Sequence, residues 1–282
     1  MDNLYSRSLA KAKWVLKKKQ KYLYGIAPFL SKNYQGLLDL EDKHCGEKAV
    51  VIGMGPSLRR DDLNRLQGFT SFACNKIYLA FEETKWRPDY YSINDVLVAE
   101  NNLERIINSD FGSGMMLHSE IVKHELSKQQ GARFYGYRGS LQNLPNHVTR
   151  FSKNIADGIR AGGYSICIDQ LQLAFHMGFE AVYLLGVDFS IDVKAQSIEG
   201  DSKSGKVLKS EGEQNHFHPD YRKPGETWTV PMMKEQQEAF EICAQVYRNA
   251  GRKLYNASRM TCLNVVERTE FDHVFRPKDA IK

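Results

Sequence analysis

The chain has 282 residues, with 39 basic and 34 acidic side chains and a formal net charge of +5, and it is long enough for one large α/β domain or two small ones. No apolar run reaches the roughly eighteen residues of a transmembrane helix, and the N-terminus lacks a signal peptide's apolar core, so we expect neither membrane insertion nor export. The five cysteines are odd in number, widely spaced and free of Cys-x-x-Cys pairs, which favours reduced thiols in a cytoplasmic protein.

Residues 1–45 predict a basic helical arm and a linker ahead of a folded domain at 46–282. Within residues 1–24, seven basic side chains accompany one acidic side chain, so this segment carries +6 and the rest of the chain −1. Apolar side chains interleave with the lysines: Trp14, Leu16, Tyr22 and Leu23. Peripheral contact with the anionic inner face of a membrane suits this pattern, at about 1 kcal/mol per cation, and so does a solvated helix packed on the domain. The rest of the chain offers no basic groove, so we expect no nucleic-acid partner.

Apolar runs alternate with amphipathic stretches from Ala49 onward. We predict strands at 49–52, 71–74, 90–93, 115–118, 133–137, 181–187 and 253–256. We predict helices at 61–66, 77–83, 98–107, 121–129, 164–177 and 231–249. Because this alternation is typical of βαβ units, we expect an α/β, Rossmann-like fold with a mainly parallel sheet and helices on both faces.

The first predicted strand runs into a glycine turn. Gly53 and Gly55 permit a tight turn and the close approach of a ligand, and Pro56 and Ser57 are typical of a helix start. A strand, a glycine turn and a helix N-terminus together form an anion site that suits the phosphates of a nucleotide. The third glycine of the dinucleotide fingerprint is missing, so a plain tight turn between a strand and a helix fits as well.

Polar residues follow the next two predicted strands. Asn75 ends the second strand, where folds of this kind contact a ribose, and Asn94 and Asp95 end the third. Because ligands bind at the carboxyl ends of parallel strands, we expect these residues to contact the nucleotide. The alternative is that they form turns and cap helices, as Asn and Asp often do.

A second glycine turn precedes the predicted helix at 164–177. Gly162 and Gly163 are suited to a phosphate or a sugar carboxylate, with Arg160 as the counter-charge. Such an arrangement would place a second anion site opposite the first. An ordinary loop with hinge glycines is the alternative.

The segment at 190–229 is polar and has no clear periodicity, which predicts a mobile lid over the site or a disordered loop. It carries His216 and His218, either of which is suited to deprotonate an acceptor hydroxyl. Histidines two positions apart on an extended segment point to opposite sides, so only one of them should face the site. Asp188 and Asp192 are candidate ligands for magnesium, although no tight Asp-x-Asp motif is present.

Six motifs occur in an order that resembles one protein family: Gly53-Met-Gly-Pro-Ser-Leu58, Ala73-Cys-Asn-Lys-Ile-Tyr78, Arg160-Ala-Gly-Gly163, Gly178-Phe-Glu-Ala-Val-Tyr-Leu-Leu-Gly-Val-Asp188, Asn215-His-Phe217 and Leu263-Asn-Val-Val-Glu-Arg268. Over residues 46–275 the chain resembles the 6-hydroxymethylpterin diphosphokinase (MptE)-like family, a domain found in bacterial surface-glycan clusters and flagellin-glycosylation factors. It also resembles the bacterial family 42 sialyltransferases, which share the Gly-x-Gly-Pro-Ser-Leu turn.

This resemblance implies a nucleotide-activated donor on a Rossmann-like fold. In the sialyltransferases, an asparagine at the second strand end contacts the cytidine nucleotide and matches Asn75, and another at the third strand end matches Asn94. A lid histidine acts as the base there, which matches His216 or His218. The resemblance therefore implies the same cavity that the strand ends predict.

Two departures from the sialyltransferase pattern leave the donor open. Met54 replaces an asparagine of the glycine turn, and Ser190 replaces a tyrosine that supports the leaving phosphate. The leading hypothesis is an inverting glycosyltransferase of bacterial surface polysaccharide or glycoconjugate assembly, with a glycan or small-molecule acceptor. The second is a diphosphokinase that uses ATP and magnesium, with Asp188 as a metal ligand. The third is a non-catalytic protein that binds nucleotide or glycan at the membrane surface.

Overall fold

The fold is given by a computed structural model that describes residues 32–129, 131–140, 150–161, 164–192, 197–202, 205–212 and 215–276. The strands are β1 (Lys48–Ile52), β2 (Thr70–Cys74), β3 (Tyr90–Ser92), β4 (Met115–Ser119), β5 (Arg133–Tyr135), β6 (Tyr137–Ser140), β7 (Ile159–Ala161), β8 (Ala181–Leu185), β9 (Ser197–Ser202), β10 (Gly205–Lys209), β11 (Thr227–Thr229), β12 (Lys253–Asn256) and β13 (Glu267–Arg268). The α-helices are α1 (Lys32–Leu38), α2 (Arg60–Leu63), α3 (Val96–Asn108), α4 (Lys123–Leu126), α5 (Ile166–His176), α6 (Met233–Asn249) and α7 (Phe271–Val274). Short 3₁₀ turns lie at Ile77–Ala80, Glu120–Val122 and Pro219–Tyr221.

Eight of these strands form one parallel sheet, in the order β13-β12-β8-β1-β2-β3-β4-β5. The chain moves outward from β1 to β5 and then returns to pair β8 with the other side of β1. The register sets Val51 beside Phe72 on one side and Leu184 on the other. The strand order therefore reverses between β1 and β8, and in open α/β sheets the crevice at this switch point binds ligands.

The central strands are buried on both faces, which explains their continuous apolar sequences. The last four residues of both β1 and β2 are buried, and every residue of α5 is buried as well. Parallel sheets show this pattern when helices cover both faces. The predicted α/β, Rossmann-like fold is confirmed. None of the helices in the described ranges has the length and apolarity that a membrane crossing requires.

Residues 32–45 belong to the domain, although the sequence predicted an arm and a linker there. Leu37 and Leu40 are buried in the main core, and the His44 ring stacks on Phe179 with ring centroids 4.6 Å apart. The backbone of this segment is also joined to the end of α5, because Asp42 N–H donates to His176 O at 3.0 Å. The basic segment 1–24 lies outside the described residues, so its contact with a membrane stays a prediction.

The 190–229 segment contains regular structure that its sequence did not reveal. β9, β10 and β11 form an antiparallel sheet, and Leu208 and Trp228 are buried where β10 pairs with β11. Few apolar residues are needed to hold so small a sheet, so periodicity could not reveal it. The described parts of this segment are therefore not a disordered loop, and its motion as a lid stays a prediction.

Three predicted helices and one predicted strand are also corrected. The helices at 61–66 and 121–129 shrink to the single turns of α2 and α4, and the helix at 77–83 is a 3₁₀ turn. The strand at 133–137 divides at Gly136 into β5 and β6, and β6 pairs with β7 in a separate two-stranded sheet.

Candidate functional site

A cavity of about 730 Å³ lies at the carboxyl ends of β1, β2, β3 and β8. Its wall also includes the first turns of α3 and α5, the start of α6 and part of the segment 215–230. Seven residues predicted from the sequence line it: Gly53, Gly55, Asn75, Asn94, Asp95, Asp188 and His216. The volume suits a nucleotide-sized ligand.

The glycine turn after β1 packs against the turn after β8. Gly53 N–H donates to Leu185 O at 2.8 Å, and Gly55 N–H donates to Gly186 O at 2.9 Å. A Cβ on Gly53 would lie 2.5 Å from Gly186 O, and one on Gly55 would lie 2.7 Å from the carboxyl carbon of Asp188. Glycine is therefore required here by the contact between two turns. Because both amides already donate within the protein, they do not form the phosphate cradle that the sequence predicted.

Ser57 binds the carboxylate of Asp188 across the same junction. Its N–H donates to Asp188 Oδ2 at 2.6 Å, and its hydroxyl donates to Oδ1. Burial raises the pKa of Asp188, and the hydrogen bonds from Ser57 oppose that rise. The predicted helix start at Pro56 and Ser57 is wrong, because α2 begins at Arg60. Neither Pro56 nor Ser57 lines the cavity.

These contacts also bear on magnesium. Both carboxylate oxygens of Asp188 accept hydrogen bonds from Ser57, so a magnesium ion would share these oxygens with Ser57. In the part of the chain that the structure describes, no group of three or more His, Cys, Asp or Glu side chains is arranged to hold a metal ion. Magnesium stays a prediction that no contact in the cavity supports.

The cavity wall concentrates backbone strain. Four non-glycine residues in the described ranges have a positive φ, and three of them line the cavity: Asn75 at 46°, Tyr164 at 48° and Phe189 at 54°. Such conformations cost roughly 1 kcal/mol or more each and cluster at functional sites. The Oδ1 atom of Asn75 is buried, and no described residue donates a hydrogen bond to it. The Oδ1 atom of Asn75 can therefore accept a hydrogen bond from a ligand at the position where the sequence predicted a ligand contact.

Asn94 leads to a buried carboxylate that sequence analysis missed. Asn94 Nδ2 donates to Asp169 Oδ2 at 2.9 Å, and the hydroxyls of Tyr135 and Tyr137 donate to the same oxygen at 3.0 and 2.5 Å. Asp169 is 4% exposed, and burial raises its pKa to about 6 against the opposing effect of these donors. It lies inside the predicted helix at 164–177, where no motif marks it.

Asp95 and Arg160 have structural contacts. Asp95 caps α3, because its side chain accepts hydrogen bonds from the N–H groups of Leu97 and Val98 at 2.9 and 3.4 Å. Arg160 does not line the cavity; its guanidinium donates to Arg138 O at 3.3 Å and its N–H to Gln172 Oε1 at 2.9 Å. Gly162 and Gly163 lie outside the described residues. Arg160 is thus not brought to the cavity as the expected counter-charge.

The two histidines of the predicted lid have different surroundings. His216 lines the cavity and stacks on Tyr221, with ring centroids 3.8 Å apart and an interplanar angle of 6°. His218 does not line it, and its Nδ1 accepts a hydrogen bond from Asp220 N–H at 3.0 Å, which caps the 3₁₀ turn. The segment is tied to the glycine turn by Phe217 N–H, which donates to Met54 O at 2.9 Å. Of the two candidate bases, the structure places His216 at the cavity.

Lys76 is the second residue that sequence analysis missed. Its ammonium lies 3.1 Å from the carboxylate of Glu226 and 5.6 Å from the centre of the Tyr221 ring. Lys76 is 6% exposed, and burial lowers its pKa, while Glu226 acts in the opposite direction. Lys76 directly follows Asn75. The rule that ligands bind at the carboxyl ends of parallel strands selected Asn75, and the same rule was a signal for Lys76.

The comparisons with known proteins concern family and fold. A family model described as 6-hydroxymethylpterin diphosphokinase MptE-like matches residues 21–194. No curated protein sequence matches the chain.

Solved structures resemble the fold at low sequence identity. The MAf glycosyltransferase from Magnetospirillum magneticum AMB-1 is 15% identical over 85% of this chain, with a TM-score of 0.53. This chain spans 38% of the length of that protein. The Campylobacter jejuni sialyltransferase CstII, solved with cytidine-5′-monophosphate, is 17% identical over 80% of this chain and 86% of its own, with a TM-score of 0.46. At these identities the likeness concerns the fold alone.

Proposed function

This chain belongs to the 6-hydroxymethylpterin diphosphokinase MptE-like family, and we propose that it is a glycosyltransferase that uses a nucleotide-activated sugar donor. One observation carries this proposal: the cavity at the carboxyl ends of the central strands is lined by both Asn75 and His216. An amide that contacts the donor and an imidazole that takes a proton from the acceptor are groups suited to sugar transfer at one site. The acceptor is a glycan or a small molecule of bacterial surface polysaccharide or glycoconjugate assembly.

In this function His216 is the general base. Its ring is held flat against Tyr221, which fixes the plane of the imidazole. An imidazole with a pKa near neutral pH takes a proton from a hydroxyl as the hydroxyl attacks the sugar. The nucleotide leaves with the electron pair of its bond to the sugar, and cations in the cavity wall stabilise the phosphate as it departs.

The two histidines provide a matched test. A thermal-shift screen with CMP-, UDP- and GDP-sugars and with ATP, each with and without magnesium, selects the ligand that stabilises the protein. Hydrolysis of that donor to free nucleotide is then measured for His216→Asn and His218→Asn, since asparagine at 218 keeps a capping acceptor. We expect His216→Asn to reduce kcat by about 100-fold or more, and His218→Asn by less than about threefold.

The other outcomes identify the competing functions. Stabilisation by ATP that requires magnesium, with turnover of ATP, would favour the diphosphokinase that the family description names. Binding of a nucleotide sugar without turnover would favour a non-catalytic binding protein. Equal activity of both histidine variants and the wild type would remove His216 as the base.

A further inference from the structure

Lys76 is a buried lysine at the cavity, and its charge needs a partner. Moving an ammonium group out of water is unfavourable unless an opposite charge compensates. Glu226 provides that charge at 3.1 Å. The ion pair joins the end of β2 to the segment that precedes β11, so the counter-ion comes from a distant part of the chain.

Two arginines also act on the charge of Lys76. Arg222 and Arg105 both lower the pKa of Lys76 by charge repulsion, and Glu226 is the acid that raises it. Lys76 and Arg222 are the lysine and arginine among the described residues that line the cavity. An anion in the cavity therefore meets positive charge at Lys76 and Arg222.

The other carboxylates of the cavity wall already accept hydrogen bonds from protein groups. Asp188 accepts from Ser57, and Asp95 accepts from the amides of α3. Asp169 accepts from the side chains of Asn94, Tyr135 and Tyr137. Glu226 differs from these three carboxylates, because its donor is the charged ammonium of Lys76 and not a neutral group.

Glu226 can leave Lys76 without a change in the backbone. Its N–H donates to Lys223 O at 3.1 Å, and its carbonyl accepts from Ser210 N–H at 2.9 Å. These bonds hold the main chain while the side chain, which is 28% exposed, reaches water. Rotation about the side-chain bonds alone therefore moves the carboxylate from the ammonium to solvent.

We propose that Lys76, with Arg222 beside it, forms the subsite for the phosphate of the donor, and that Glu226 occupies this subsite as an exchangeable counter-ion until a phosphate displaces it. A carboxylate and a phosphate present the same kind of oxygen to an ammonium, and the phosphate brings more negative charge. The amides of Gly53 and Gly55 are bonded to the turn after β8, so the phosphate needs other partners. The nature of the donor rests on the proposed function, whereas binding of a phosphate anion does not.

The test uses inorganic pyrophosphate as the probe and isothermal titration calorimetry of the full chain as the readout. Glu226→Gln removes the competing charge and keeps the shape of the side chain, so it should bind pyrophosphate about three- to tenfold more tightly than the wild type. Lys76→Met combined with Glu226→Gln removes both charges without leaving a buried ion unpaired. This double variant should bind at least about tenfold more weakly than Glu226→Gln alone.

Asp272→Asn is the matched control, because it neutralises a carboxylate that binds Arg65 and Arg259 and does not line the cavity. Its affinity for pyrophosphate should stay within about twofold of the wild type. Circular dichroism establishes that each variant is folded. The proposal is overturned if Glu226→Gln binds no more tightly than the wild type, or if the double variant binds as tightly as Glu226→Gln.

The outcome is separate from that of the proposed function. One outcome is that Glu226→Gln binds pyrophosphate more tightly than the wild type, the double variant binds more weakly than Glu226→Gln, and no nucleotide sugar is hydrolysed. This outcome supports the phosphate subsite and contradicts the proposed glycosyltransferase. The other outcome is that a nucleotide sugar is hydrolysed while the Glu226 and Lys76 variants bind pyrophosphate like the wild type. This outcome supports the proposed glycosyltransferase and contradicts the phosphate subsite.

Discussion

Two contacts in the cavity wall are built differently. One is the junction between the turn after β1 and the turn after β8, and the other is the ion pair of Lys76 and Glu226. At the junction, backbone amides donate to backbone carbonyls, and no room exists for a Cβ on Gly53 or Gly55. At the second contact, two flexible side chains meet, and Glu226 is partly exposed. The first region is a rigid joint of the sheet, whereas the second can exchange partners. Glycines at a strand end therefore do not by themselves identify the place where a ligand binds.

The largest effect should come from breaking the rigid joint. Gly53→Ala places a Cβ 2.5 Å from the backbone atom Gly186 O. Because the Cβ is fixed to the backbone of residue 53, the two atoms cannot move apart without separating β1 from β8. We expect a loss of about 3 to 4 kcal/mol in the free energy of unfolding, measured by urea denaturation.

Gly136→Ala is the control for this substitution, because its Cβ would meet the end of the flexible Glu120 side chain at 3.0 Å. It should cost less than about 1 kcal/mol. Equal losses from the two substitutions would mean that the joint is not rigid.

The next effect is a pH dependence from Asp169. Burial raises its pKa to about 6 from an ordinary value of about 3.9, so the native state favours the protonated acid. The stability that this preference contributes is fully present below about pH 4 and is lost as the pH rises through 6. Between pH 4 and pH 7, Asp169→Asn should therefore gain about 2 kcal/mol relative to the wild type, as measured by urea unfolding at each pH.

Tyr137→Phe sharpens this prediction. The Tyr137 hydroxyl donates to Asp169 and lowers its pKa, so the loss of that donor should move the stability transition to a pH above that of the wild type. An unchanged transition would show that Asp169 is not the titrating group.

A smaller effect should follow from Ser57→Ala, which removes the hydroxyl that donates to the buried Asp188 carboxylate. We expect a loss of about 1.5 kcal/mol in the free energy of unfolding, because a charge-assisted buried hydrogen bond is lost. Ser109→Ala removes an exposed hydroxyl bond to Arg105 O and should cost less than about 0.5 kcal/mol. Similar losses at the two positions would contradict the assignment of Ser57 to the joint.

The smallest effect is expected at Arg160. Its guanidinium binds a backbone carbonyl outside the cavity lining. Arg160→Ala should therefore change the affinity for inorganic pyrophosphate by less than about twofold, measured by calorimetry beside the Lys76 and Glu226 variants. A tenfold loss of affinity for pyrophosphate would instead support the sequence-based prediction that Arg160 is the counter-charge of an anion site.

Sequence analysis located the strand ends but not the partners of the residues there. Asn75 and Asn94 were found because a buried strand must end in polar residues at the ligand edge of a parallel sheet. Asp169 was missed, since it lies within a helix and meets Asn94 only after α5 packs beneath the sheet. Glu226 was missed because its partner Lys76 is 150 positions away in the chain.

Local patterns alone determined the parallel sheet, seven of its eight strands and the edge at which the cavity opens, because the periodicity and turn chemistry of short segments set these features. Tertiary structure decided which polar groups are already bonded to one another. Asp188 and Ser57 meet only when β8 pairs with β1, and this pairing commits amides and a carboxylate that the sequence would leave available for a ligand. Hydrogen bonds between distant residues depend on the packing of whole elements, which no local pattern encodes.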